Sequence, residues 1–215
     1  MAEKTFGLYL SEEFPGKTLG YVWGGVPNYA NVYRRAVMPE GGYVTKLYFG
    51  VNRYASTDNP IVYGVIRNRL TGAIIAQSVA KTTWGSSILD GNYGVAVFDF
   101  TRTYIPAGTE LWIGISRDSN DANRRTAIFY RQPYAGEIIE YNDVSQDTPP
   151  AIFTPTGSIT DKYIPFRVFY ESGGQMKVWD GSANIPKPVK VWNGSAWVQK
   201  VVKGWNGSIW KESNS

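Results

Sequence analysis

One hexapeptide recurs three times near the C-terminus. Lys177-Val-Trp-Asp-Gly-Ser182, Lys190-Val-Trp-Asn-Gly-Ser195 and Lys203-Gly-Trp-Asn-Gly-Ser208 align without a gap, and their leading Trp179, Trp192 and Trp205 stand 13 residues apart. A repeat this short cannot hold a helix pair or a buried core. It can hold one hairpin per unit, and Asp-Gly or Asn-Gly at the centre is the strongest local signal for one, because a type I′ turn needs positive φ at both central residues. With Asn193-Gly194 as the turn, Trp192 is expected to face Ser195, Val191 to face Ala196, and Lys190 to face Trp197. Alternation then groups Val189, Val191, Ala196 and Val198 on one side and Lys190, Trp192, Ser195 and Trp197 on the other. The third unit repeats the pattern, with Trp205 facing Ser208, Gly204 facing Ile209, and Lys203 facing Trp210. In the first unit Asn184 stands where the second Trp would be, which reads as an atypical end unit. Pro186 and Pro188 interrupt the connection that follows it, so long continuous strands are not expected there.

Charge follows the repeat. The chain has 22 basic and 18 acidic side chains. Six of the bases (Lys177, Lys187, Lys190, Lys200, Lys203, Lys211) and only Asp180 and Glu212 fall in 172–215, so 1–171 carries 16 of each and is neutral. Five of the eight Trp sit in the same tail: Trp179, Trp192, Trp197, Trp205 and Trp210. About forty residues in three short hairpins cannot cover both a Val face and a Trp face, since isolated hairpins are marginal in water. These Trp, with Lys190 and Lys203, are therefore the candidate assembly and docking residues. Lysine opposite an indole allows a cation–π contact of about 0.5–1 kcal/mol. Aromatics interleaved with cations also stack bases, but the tail lacks Arg and hairpin register accounts for the Trp spacing, so no nucleic-acid partner is expected. Asn193-Gly-Ser195 and Asn206-Gly-Ser208 are formal glycosylation sequons. They are set aside because 1–10 lacks the apolar core of a secretory signal.

The chain contains no Cys and no His. Disulfides, thiolate nucleophiles, Ser-His-Asp relays and imidazole metal ligands are excluded. Asp118-Ser-Asn-Asp-Ala-Asn123 crowds oxygen ligands as a Ca²⁺ loop does, yet it lacks the sixth-position Gly and the following Glu and carries Arg124-Arg125 alongside. It reads as a surface loop. Glu137 with Glu140 or Asp143 offers paired carboxylates, but Glu137 and Glu140 fall on opposite sides of a strand, so solvated edge charges are expected rather than a glycosidase pair. No catalytic residue, metal or cofactor is assigned, and the chain is expected not to be an enzyme. No apolar run reaches the roughly 18 residues of a membrane helix, so no membrane insertion is expected.

Ahead of the tail, 5–171 shows no 3.6-residue periodicity. Ten short strand-like runs recur between Gly, Pro, Asn and Asp clusters: 5–10, 29–37, 43–51, 61–67, 73–80, 94–100, 110–116, 126–131, 137–141 and 163–170. That predicts an all-β, jelly-roll-type β-sandwich followed by a short array of β-hairpin repeats. The clearest pieces are the hairpin at 62–78 with its turn at 68–72, and the run 105–115 with Leu111, Ile113 and Ile115 on one face. The composition shift at 171–175 divides a sandwich domain, 1–171, from the repeat tail, 176–215, with 172–175 as a linker.

The order Pro39-Glu-Gly-Gly42, Ile74-Ile-Ala-Gln-Ser78 and Pro106-Ala-Gly-Thr-Glu-Leu-Trp-Ile-Gly-Ile115 resembles jelly-roll modules of the carbohydrate-binding type, common in bacterial surface and tailed-phage virion proteins. The Lys-Val-Trp-Asn-Gly-Ser-x-Trp-Val repeat resembles the C-terminal repeats of phage minor tail proteins. Together the resemblances span nearly the whole chain. They imply a non-enzymatic component of a tailed-bacteriophage virion, made in the host cytoplasm. In it, a minor tail or tail-tip protein displays the sandwich outward while the Trp-rich tail oligomerises it or docks it on other virion proteins. A trimer or another cyclic homo-oligomer is the expected assembly. A capsid decoration protein and a carbohydrate-binding receptor for host cell-wall glycan are the alternatives. For the last, the candidate glycan-binding residues are the loop aromatics Trp23, Tyr29, Tyr54, Trp84 and Tyr93.

Overall fold

The computed structural model describes residues 3–7, 30–53, 60–83, 96–117, 126–128, 138–142, 148–160, 164–172, 176–179, 184–187, 189–199, 203–205 and 210–212. Their ordered elements are all strands: β1 (Glu3–Phe6), β2 (Asn31–Val37), β3 (Gly42–Phe49), β4 (Val51–Arg53), β5 (Val62–Asn68), β6 (Ile74–Gln77), β7 (Ala96–Ile105), β8 (Glu110–Arg117), β9 (Thr126–Ile128), β10 (Ile139–Asn142), β11 (Gly157–Ile159) and β12 (Phe166–Ser172). The tail adds β13 (Met176–Trp179), β14 (Asn184–Lys187), β15 (Lys190–Trp192), β16 (Trp197–Gln199), β17 (Lys203–Trp205) and β18 (Trp210–Glu212). No helix among the described residues is long and apolar enough to cross a membrane.

Two antiparallel sheets make the body. One has the order β1-β12-β3-β7, the other β11-β10-β2-β8-β5-β6, and β4 pairs separately with β9. The chain changes sheet between β2 and β3, again by β5, between β6 and β7, and once more into β8. This repeated crossing is the jelly-roll wiring the sequence predicts. Period-two alternation aims one face of each sheet inward. Val44, Leu47, Phe49, Phe98, Phe166 and Val168 from one sheet meet Val32, Ile66, Leu111, Ile113, Ile115 and Ile139 from the other in a single buried cluster. Gly64 on β5 packs directly against β7: a Cβ there would collide with the Phe98 side chain, so the position takes only hydrogen.

The hairpin at 62–78 forms as expected. The Asn68 side-chain oxygen accepts from the Leu70 and Thr71 amides at 2.9 and 3.2 Å, and Gly72, at φ 75°, closes the turn with its N–H on the Asn68 carbonyl. That Asx-type turn and a left-handed Gly explain why the chain reverses there. Two features were not anticipated. β7 runs on to Ile105 instead of ending at Phe100, and its pairing with β3 is irregular between Val44 and Lys46. The short β11, within a stretch the sequence leaves as loop, pairs with β10 at the sheet edge.

The outer face of the six-stranded sheet is covered by the Pro-rich segment 148–156. Phe153 is buried in it, in edge contact with Tyr33 and Trp112 at ring-centre distances of 4.6 and 4.8 Å. Arg67 is fully buried and ties this strap down. Its guanidinium donates to the Tyr33 hydroxyl at 2.9 Å, the Gly72 carbonyl at 3.0 Å and the Pro150 carbonyl at 2.8 Å. A buried cation is tolerable only when its donors are used.

Candidate functional site

In the tail, the three units fold into three separate two-stranded hairpins, β13-β14, β15-β16 and β17-β18. Their registers are identical. Trp179 faces Asn184, Trp192 faces Trp197, and Trp205 faces Trp210. Asn184 does occupy the second-Trp position of the first unit.

The expected pairing of Trp192 with Ser195 and of Lys190 with Trp197 is not what forms, and the same correction applies to Trp205 and Lys203. Lys190 faces Gln199 and Val191 faces Val198, while Lys203 faces Glu212 and Gly204 faces Lys211. The cause is visible at the second turn. The Asn193 side-chain oxygen accepts from the Ser195 amide at 3.0 Å and the Ala196 amide at 2.9 Å, while the Asn193 N–H donates to the Ala196 carbonyl at 3.0 Å. Only Gly194, at φ 101°, has a positive φ, so Gly194-Ser195 forms the tip. Positive φ at the first central position alone is the type II′ pattern, not I′. Asn193 thus acts as a strand-end residue whose side chain caps the loop. The turn centre moves by one residue, and each residue meets a partner two positions further along the opposite strand. Face membership is preserved, because a shift of two keeps the period.

The consequence is an indole pair. Trp192 and Trp197 lie one rung outside the hydrogen-bonded Asn193–Ala196 rung, where strands approach most closely. Their ring centres are 5.8 Å apart and tilted by 60°. Both remain largely solvent-exposed, at 52% and 66%, and Val191 on the opposite face is 46% exposed. Lys190, exposed, lies two residues before Trp192 on the indole side. Trp179, Trp205 and Trp210 occupy corresponding rungs in the other hairpins. No family model and no curated protein matches this chain.

The candidate glycan-binding residues Trp23, Tyr29, Tyr54, Trp84 and Tyr93 lie outside the described residues, as do Asp118–Asn123 and the carboxylates Glu137 and Asp143. Among the described residues, no group of three or more His, Cys, Asp or Glu is placed to hold a metal ion. A cleft of about 240 Å³ opens between Lys81–Thr83 and the outward side chains of Val97 and Asp99 on β7. It offers hydroxyls and one charge of each sign.

Glu140 corrects the expectation of a solvated edge charge. It is buried on β10, a strand flanked on both sides, and its two oxygens receive the Arg35 guanidinium at 2.7 and 2.8 Å. The Trp112 indole N–H adds a third bond at 2.6 Å. Arg35 chiefly, with help from that N–H and against the effect of burial, holds the Glu140 carboxyl below the ordinary value of 4.5. Nearby, burial pushes the Tyr33 phenol above 10.0, with the Arg67 charge and its bonds to Ser116 and Arg67 pulling the other way. From Tyr33 the bonds run on through Ser116 at 2.7 Å, Asn31 at 2.5 Å and Asn142 at 2.8 Å. Asn142 then donates to the strap carbonyl of Thr154 at 3.0 Å. This chain of polar groups ends in backbone that it holds in place. Periodicity gave no sign of it, because it joins residues up to 111 positions apart.

Proposed function

We propose that the chain is a non-enzymatic structural component of a tailed-phage virion, of minor tail or tail-tip type, whose hairpin array docks the protein on the particle. The observation that carries the reading is the second hairpin: three-residue strands with an exposed indole pair on one face and an exposed Val191 on the other. Its register recurs in both neighbouring units. Isolated hairpins of this size are marginal in water, and large aromatics at the centre of a contact are the usual anchors of protein interfaces. The buried charged groups of the body support the same division of labour, since Arg67 and Glu140 spend their hydrogen bonds on internal backbone and side chains. The virion context rests on the resemblance of the Lys-Val-Trp-Asn-Gly-Ser repeat to minor tail protein repeats.

The test is the double variant Trp192→Ala/Trp205→Ala in particles grown from the otherwise unchanged genome. Loss of two anchors should lower incorporation about tenfold or more while the thermal transition of the body stays in place. Normal incorporation removes the docking reading. Gold-labelled full-length protein viewed by electron microscopy separates a tail position from a capsid one.

A further inference from the structure

We propose that the hairpin array docks on an acidic, partly apolar protein surface rather than on a second copy of this chain. The inference rests on the docking reading above and names the partner's chemistry.

Register supplies the first reason. Lys177, Lys190 and Lys203 each stand two residues before the leading Trp of their unit, so by strand alternation each shares the indole side. Across the strand, Lys177 meets Pro186 and Lys190 meets Gln199; only Lys203 meets an acid, Glu212. Two of the three rungs thus carry a cation opposite an uncharged residue, each two rungs from the rung of the leading Trp. An indole anchor with a charge at its margin is how a protein interface divides its work: the ring supplies affinity, and the charge selects the partner and speeds encounter.

Charge balance decides which partner. A second copy offers either another array, with six Lys against two acids, or a body whose 16 bases and 16 acids cancel. Array against array sets like charges together, which opposes association. A surface rich in Asp and Glu reverses the sign. Two features favour protein over nucleic acid. All six cations are Lys, without the guanidinium fork that grips phosphate in two places. On the back of the second hairpin Val191 is 46% exposed, an apolar surface for which a phosphodiester chain has no counterpart. The two indoles of that hairpin also tilt against each other and are not spread as separate platforms for bases.

The experiment uses the full-length chain and four probes: a random Glu/Tyr copolymer, poly-glutamate, poly-lysine and oligo-deoxythymidine. Binding is read from indole emission, and light scattering follows the oligomeric state. The Glu/Tyr copolymer should bind tightest and shift the emission to the blue, poly-lysine should not bind, and the protein should remain monomeric. The triple variant Lys177→Gln/Lys190→Gln/Lys203→Gln should weaken copolymer binding about tenfold, the sum of three exposed ion pairs, and should enter particles correspondingly less well. Tighter binding of oligo-deoxythymidine, concentration-dependent self-association of the wild type, or undiminished copolymer binding by the triple variant would each overturn the inference. The two readings fail differently. If Trp192→Ala/Trp205→Ala abolishes incorporation and the Lys variant does not, docking stands and the acidic partner falls.

Discussion

In the body, Tyr33 and Trp112 lie under Phe153, with the Arg67 guanidinium 5.3 Å from the Tyr33 ring centre and 5.9 Å from that of Phe153. In the second hairpin, Trp192 and Trp197 lean together, with Lys190 two residues along the strand, and more than half of each Trp is in water. Both regions bring aromatic rings together on a β-surface. The first covers them with a strap pinned by hydrogen bonds over 83 positions of sequence. The second leaves them open on strands of three residues. A covered arrangement works for the fold; an exposed one, on a backbone register that all three hairpins share, is available to a partner.

Stability measurements provide the strongest attempt to break that contrast. Arg67→Met keeps most of the side-chain volume but removes three bonds: the Tyr33 hydroxyl keeps Ser116 and the Gly72 carbonyl keeps the Phe153 N–H, while the Pro150 carbonyl loses the guanidinium that donates to it. A stranded buried acceptor costs about 1–3 kcal/mol, and each lost bond from a charged donor about 1.5–3 kcal/mol, so a loss of about 3–5 kcal/mol is expected in urea unfolding of the full chain. Trp192→Ala, measured alongside, should move the same transition by less than about 0.5 kcal/mol. Similar losses from the two changes would mean that the hairpins belong to the body's cooperative unit, and the division of roles would fail.

How much of this could be read beforehand depends on the range of the cause. The inward placement of Leu111, Ile113 and Ile115 follows from alternation alone, and the turn at 68–72 from Asn68 and Gly72, so both were legible. The strap was not: 148–156 has no period, and its position is set by Arg67, Gly72 and Tyr33 far along the chain. The hairpins were legible as elements and in their faces. Their register was not, because Asn193 reads equally well as a turn residue and as a capping strand end, and only the side-chain bonds to Ser195 and Ala196 decide. Glu140 was misread for a related reason. An acid in a short strand looks solvated until β2 and β11 are seen on either side of it.

A smaller effect, with a pH signature, sharpens the covered side. The Glu140 carboxyl is held below 4.5 in the fold, so its contribution is present above that value and is lost as pH falls through the folded value. Glu140→Gln should be less stable than the wild type by about 1–3 kcal/mol at neutral pH. The gap should then narrow on acidification below 4.5. A gap that stays constant from neutral to acid pH would show that the Arg35 and Trp112 bonds, not the charge of Glu140, carry the whole effect.

The smallest effect falls on the open side. The first hairpin has the register of the other two, yet Asn184 faces Trp179 where they have a second indole. If indole pairing, rather than turn sequence alone, sets how fully each hairpin forms, then Asn184→Trp should stabilise the first unit by about 0.5–1.5 kcal/mol, the scale of one aromatic pair. The body transition should not move. Exciton-coupled circular dichroism from paired indoles should rise, and amide exchange at 176–179 should slow while 190–192 is unchanged. Slower exchange without added exciton signal would mean that the new ring packs elsewhere, and that the shared register does not by itself create the pair. Added signal with weaker docking would show that Asn184 is kept unpaired for contact with the partner, making the first unit a specificity element within an otherwise uniform array.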